Sequence, residues 1–99
     1  MEVKIHAIHF HADQKLVSFI QERISKVDQF FDKITGTEVF LKLESNGSNV
    51  KDKVAEIKVT LPGKVLFSEE RSKVFEESFD TALNSILKQV KKHKEKIKG

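Results

Sequence analysis

Two clusters of side chains in this sequence have types and spacing that could do chemistry. One is the lysine run of LKQVKKHKEKIKG, Leu87 to Gly99, with six lysines against one glutamate. The other is His6, His9 and His11 near the N-terminus. Ammonium groups are point charges suited to phosphate, and closely spaced imidazoles can hold a metal. The chain as a whole has 18 basic and 15 acidic side chains, net +3. The lysine run alone is +5, which leaves residues 1–86 at −2. Charge segregated in this way suits a polyanionic partner.

The histidines are the weaker cluster. By parity His9 and His11 share a strand face, but no carboxylate or cysteine nearby completes a tetrahedral set. Surface or capping roles are expected for them, with no metal bound. Glu69-Glu70 and Glu76-Glu77 suggest acid–base work only superficially, because adjacent residues on a helix diverge by ~100°. Acidic residues at a helix start also match its positive end. No Ser-His-Asp spacing, phosphate loop or glycine fingerprint is present. The sequence reads as a binding module, not an enzyme, and requires no cofactor.

Size and composition narrow the setting. A chain of 99 residues, 38% hydrophobic, is expected to fold as one domain over residues 1–99. The absence of cysteine suits a reducing cytoplasm. Val3, Ile5 and Ala7 alternate with polar residues, unlike the continuous apolar run of about 7–15 residues in a secretory signal. No apolar stretch approaches the roughly 20 residues that span a bilayer. A cytoplasmic, non-membrane protein is expected.

Periodicity then supplies the elements that must position the lysines. Period two at Val3, Ile5 and Ala7 predicts a first strand. Asp13 is placed as the N-cap of a helix from about Gln14 to Lys33. Leu16, Ile20, Ile24, Val27 and Phe31 form its apolar stripe, widened by Phe19 and Phe30. Gly36 is expected to stop it. Val39, Leu41 and Leu43 alternate in a second strand, and Ala55, Ile57, Val59 and Leu61 in a third, across a polar loop at Ser45–Lys53. Leu61-Pro62-Gly63-Lys64 predicts a type II turn into a short fourth strand, Val65 to Ser68. Phe75, Phe79, Leu83, Ile86, Val90 and Ile97 mark a second helix starting near Ser72. The expected fold is an α+β two-layer sandwich of order β-α-β-β-β-α. Its four-stranded mixed sheet carries both helices on one face, the first two strands being parallel.

On the wheel of the second helix, Lys88 and Lys92 fall opposite the core, with Lys91 and Lys96 on the flanks. Acidic residues from Glu69 to Asp80 precede them, so part of the polarity is ordinary dipole matching. Six lysines exceed what the last turn needs, which favours phosphate binding over a merely solvated face. Lys15, Lys26 and Lys33 lie on the outer side of the first helix, with Arg23 at the stripe's edge. Side-by-side helices would then present a groove that contacts nucleic-acid backbone with little sequence reading.

Three stretches carry a family resemblance across essentially the whole chain: ISKVDQFFDKI (Ile24–Ile34), VFLKLE (Val39–Glu44) and FDTALNSILKQVKKHKEKIK (Phe79–Lys98). The sequence resembles the ribosome hibernation-promoting factor family, also called ribosome-associated inhibitor or sigma-54 modulation proteins. The resemblance implies binding to the small ribosomal subunit where mRNA and the A- and P-site tRNAs pass, silencing translation during starvation. Carried over by position, it implies rRNA contacts at Lys26, Lys33, Lys88, Lys92 and Lys94, with Arg23, Lys91 and Lys96 in support. Ser85 stands where relatives often place a basic residue. An end at Gly99 resembles the short promoting form, which implies a separate ribosome modulation factor as a further partner in ribosome dimerisation.

Other readings are distinguishable. A double-stranded-RNA-binding module would start with a helix and carry lysines at the start of its last helix, where this chain is acidic. An RNA-recognition motif would need aromatics on two central strands and a β-α-β-β-α-β order, and Phe40 is a lone candidate. A protein-interaction scaffold would bind its partner without salt dependence.

Overall fold

The computed structural model describes residues 2–98, with side chains through Lys96. Its elements are β1 (Glu2–Ala7), α1 (Gln14–Phe30), β2 (Gly36–Glu44), β3 (Asp52–Leu61), β4 (Lys64–Ser72) and α2 (Phe75–Lys98). The sheet runs in the order β1-β2-β3-β4, with β1 parallel to β2 and the other neighbours antiparallel. This is the expected β-α-β-β-β-α sandwich.

Strand register explains why one face is apolar. Ile5 pairs with Val39, Val39 with Ile57, and Ile57 with Ser68, so a single row crosses all four strands. Val39, Leu41 and Ile57 are fully buried beneath the helices. From α1 come Leu16, Ile20, Ile24 and Val27, and from α2 come Phe79, Ile86 and Val90, all buried. Each such apolar side chain stabilises the fold by roughly 1.5–3 kcal/mol. Two buried hydroxyls fix α2 on the sheet. Ser68 Oγ donates to the Ala82 carbonyl at 2.8 Å and Ser78 Oγ to the Lys53 carbonyl at 2.6 Å.

Local chemistry sets the ends of the elements. Asp13 caps α1, its Oδ1 accepting the Leu16 N–H at 2.8 Å, a contribution of about 1 kcal/mol. The other end differs from expectation. The helix stops at Phe30, because Phe31 turns to extended geometry (φ −147°) and buries its ring. Lys33 therefore lies in the connection to β2, and Gly36 opens β2 instead of ending the helix. The Pro62-Gly63 turn is as expected, with Gly63 at φ +73°. β4 is longer than its apolar alternation, continuing to Ser72 through SEERS. Glu69 and Glu70 thus belong to a strand, and the acidic first turn of α2 consists of Glu76 and Glu77. The Ile97 side chain, expected on the apolar stripe of α2, and that of Lys98 lie outside the described residues.

Candidate nucleic-acid interface

Contacts between the helices give their relative direction. Phe19 meets Phe79 edge-on at 6.2 Å, Arg23 Nε lies 3.8 Å from Asp80 Oδ1, and Phe31 meets His93 at 6.0 Å. Residue numbers rise together along both helices, so α1 and α2 run parallel on the sheet. Between them lies an open groove of about 590 Å³. Val27, Leu83 and Leu87 supply apolar walls, with Phe30, Asp80 and Asn84 beside them. Arg23 and Lys26 line it from α1, and Lys88 and Lys91 from α2.

Four of the eight expected contact residues therefore converge on one groove. The other four do not. Lys92 and Lys96 lie on the far flank of α2, around a shallow depression shared with Lys64 of β4. Lys88 and Lys92, read as one outward face, are divided between the two flanks. Lys33 is exposed in the loop after α1. Lys94 reaches across to α1: its Nζ donates to the Phe30 carbonyl at 3.3 Å and sits 4.4 Å from the Phe30 ring centroid. It thus satisfies one of the carbonyls left open at a helix C-terminus while stacking on the ring.

Arg23 is also held in place, with its guanidinium carbon 4.7 Å from the Phe19 centroid. Lys26, Lys88 and Lys91 are exposed and make no ion pair among the described residues. Phe30, Asn84 and Leu87 were not legible as groove residues. A signal existed for Phe30: adjacent aromatics on a helix point ~100° apart, so Phe30 and Phe31 could not both reach the core. Phe31 is buried and Phe30 is 46% exposed.

The opposite face of the sheet is charged, and most of its cations are matched, Lys58 having no ion pair among the described residues. Lys42 pairs with Glu56, Arg71 Nη1 lies 3.0 Å from Glu44 Oε1, and Lys73 Nζ donates to Asp52 Oδ1 at 2.7 Å. The hydrogen bond from Lys73, then one from Asn46, holds the Asp52 carboxyl below the usual carboxylate range. The hydrogen bond with Glu56 raises the Lys42 ammonium. His6 stacks on Phe40 at 4.8 Å, with Nε2 3.1 Å from Glu38 Oε2. His9, at φ +64°, and His11 lie beyond the end of β1 rather than on a strand face. Among the described residues, no three His, Cys, Asp or Glu side chains come together as a metal-binding set. No helix among the described residues is long and apolar enough to cross a membrane.

The architecture is that of a two-layer α+β domain whose paired parallel helices frame a cationic groove. Residues 3–98 match the family described as sigma 54 modulation protein / S30EA ribosomal protein, and the chain belongs to that family. A similar sequence is the ribosome hibernation promoting factor of Pseudomonas putida, 30% identical over 96 residues, covering 97% of this chain and 89% of that protein. Two solved structures share the fold. A ribosomal subunit interface protein from Coxiella burnetii has a TM-score of 0.83 at 15% identity, over 95% of this chain and 98% of that one. The N-terminal domain of Thermus thermophilus Protein Y has a TM-score of 0.74 at 22% identity, over 94% and 99%.

Proposed function

We propose that this domain binds the small ribosomal subunit in the channel for mRNA and the A- and P-site tRNAs. It blocks translation there and keeps ribosomes inactive during starvation and stationary phase. The observation that carries this reading is the convergence of Arg23, Lys26, Lys88 and Lys91 on one groove. Membership of the S30EA family and the similarity to a hibernation promoting factor direct that charge toward rRNA. The groove cations contact rRNA phosphates, and Lys92 and Lys96 extend the contact along the far flank of α2. Lys33 adds one beyond α1, and Lys94 contributes while holding the end of that helix. The activity is binding without catalysis, in the cytoplasm. A separate ribosome modulation factor is a further partner, acting in dimerisation.

Occlusion follows from volume and charge. A protein seated in the decoding channel and the tRNA or mRNA that normally fills it cannot occupy the same space, so binding is competitive. In a purified translation system, inhibition should be strong when the protein meets empty ribosomes. It should weaken when initiation complexes are assembled first. Identical inhibition in both orders of addition would refute channel occlusion.

A further inference from the structure

The cations account for only the rim of the interhelical groove. Its walls are apolar, and the side chain that stands out among them is Phe30, a large aromatic left 46% exposed. Phosphates alone would use the lysines and leave this surface wet. The Phe30 ring also has a partner: Lys94 sits 4.4 Å from its centroid, and Lys94 is not part of the groove wall. Across the groove on α2, Asn84 is exposed, and its amide has no hydrogen-bond partner among the described residues. An unengaged amide presents both a donor and an acceptor, which is what the edge of a base requires.

We propose that the groove between α1 and α2 takes an unstacked nucleobase. Phe30 provides the stacking surface, Asn84 bonds the base edge, and Lys26, Lys88 and Lys91 hold the flanking phosphates. This deepens the RNA-binding reading above and rests on it. The occupant is a single-stranded or bulged nucleotide, because a base within a duplex has both its faces covered. Charge complementarity and an apolar floor occur together in this groove. Stacking on an aromatic tolerates any base, so the groove selects unpaired structure more than sequence.

The test compares three end-labelled oligomers of equal length, about eight nucleotides: a single-stranded RNA, its duplex, and a chain in which tetrahydrofuran spacers replace every nucleoside. All three carry phosphates, but only the first offers free base faces. Fluorescence anisotropy at one fixed salt concentration should show the single strand binding about tenfold tighter than the spacer chain. The duplex should resemble the spacer chain. Phe30→Leu, which keeps an apolar side chain but removes the π-face, should abolish that preference. Asn84→Ala, at an exposed site with little risk to folding, should reduce the preference severalfold. Equal affinity for all three oligomers, or a preference that survives Phe30→Leu, would overturn the proposal. So would tighter binding of a labelled acidic amphipathic peptide than of any oligomer. Pelleting of the same proteins with small subunits separates the two readings. Failure of the wild type to pellet would count against ribosome binding, while the oligomer comparison would still decide the role of the groove.

Discussion

The two exposed faces of this domain carry similar side chains to opposite effect. On the open face of the sheet, Lys42, Arg71 and Lys73 each meet a carboxylate, and His6 meets Glu38. In the interhelical groove, Arg23 has a carboxylate at the longer distance of 3.8 Å, and Lys26, Lys88 and Lys91 have none among the described residues. A matched pair on a surface has little left to offer a third charge, whereas unmatched ammonium groups raise the local potential and attract polyanions. Counting lysines would not distinguish the two faces. The distribution of their carboxylate partners does.

Reversing charge on each face should separate them most strongly. Lys88→Glu with Lys91→Glu should weaken small-subunit binding by about 100-fold or more, because two attractive phosphate contacts become repulsive. The equivalent reversal Lys51→Glu with Lys58→Glu, two lysines that also lack a carboxylate partner among the described residues but lie outside the groove, should change binding by no more than about twofold. Circular dichroism should report both variants as folded, and pelleting assays would read the contrast. Equal losses would mean that net charge, not the groove, determines affinity.

Salt should sharpen the same contrast on a smaller scale. Log affinity should fall linearly with log salt, and Lys26→Ala should reduce that slope by about 0.7–0.9, the share of one phosphate. Lys58→Ala should leave the slope unchanged. Titrations at four or five ionic strengths would measure both. A slope near zero in the wild type would instead favour a protein-interaction scaffold.

The smallest effect belongs to the open face alone. Glu69 holds its proton to higher pH than an ordinary glutamate, first through its hydrogen bond with Glu56 on the neighbouring strand, then through burial and the Glu56 charge. Lys42 and Arg71 act in the opposite direction. A group with a raised folded-state pKa contributes stability that is present below its unfolded value and lost as pH rises through its folded value. Glu69→Gln should therefore gain on wild type as pH rises through and above the ordinary glutamate range. The gain should be no larger than about 0.5 kcal/mol, as for most surface changes. Urea midpoints across that range would show it, with small-subunit binding unaltered. A variant that loses ground as pH rises would reverse the assignment.

Much of this was legible in the sequence, because burial imposes a period and the period is visible. Ile20, Ile24, Val39, Ile57, Phe79 and Val90 were all expected in the core and are buried there. What failed were boundaries where polar residues continue an element without an apolar partner to mark them. Glu69 and Glu70 extend β4 along an edge of the sheet, and charged residues there resemble an acidic helix start. Phe31 ends α1 ahead of the glycine, in extended geometry and with its ring buried. The candidate site was half legible for a related reason. A helical wheel orients lysines only against their own helix's core. The division of Lys88 and Lys91 from Lys92 and Lys96 depends on where α1 lies, which is a tertiary fact. The reach of Lys94 to Phe30 spans 64 positions of sequence, and no local pattern could announce it.

The clasps at the two ends of the helix pair have a consequence for rates. Arg23 and Asp80 join α1 to α2 near one end, and Lys94 joins them at the other through the Phe30 carbonyl and ring. Both contacts bridge the helices whose facing sides carry Lys26 and Lys88. On the ribosome-binding proposal, association would order a few lysine side chains, each at a cost of about 0.5–1.5 kcal/mol. On the same proposal, electrostatic steering should speed association at low salt and lose that advantage as salt rises.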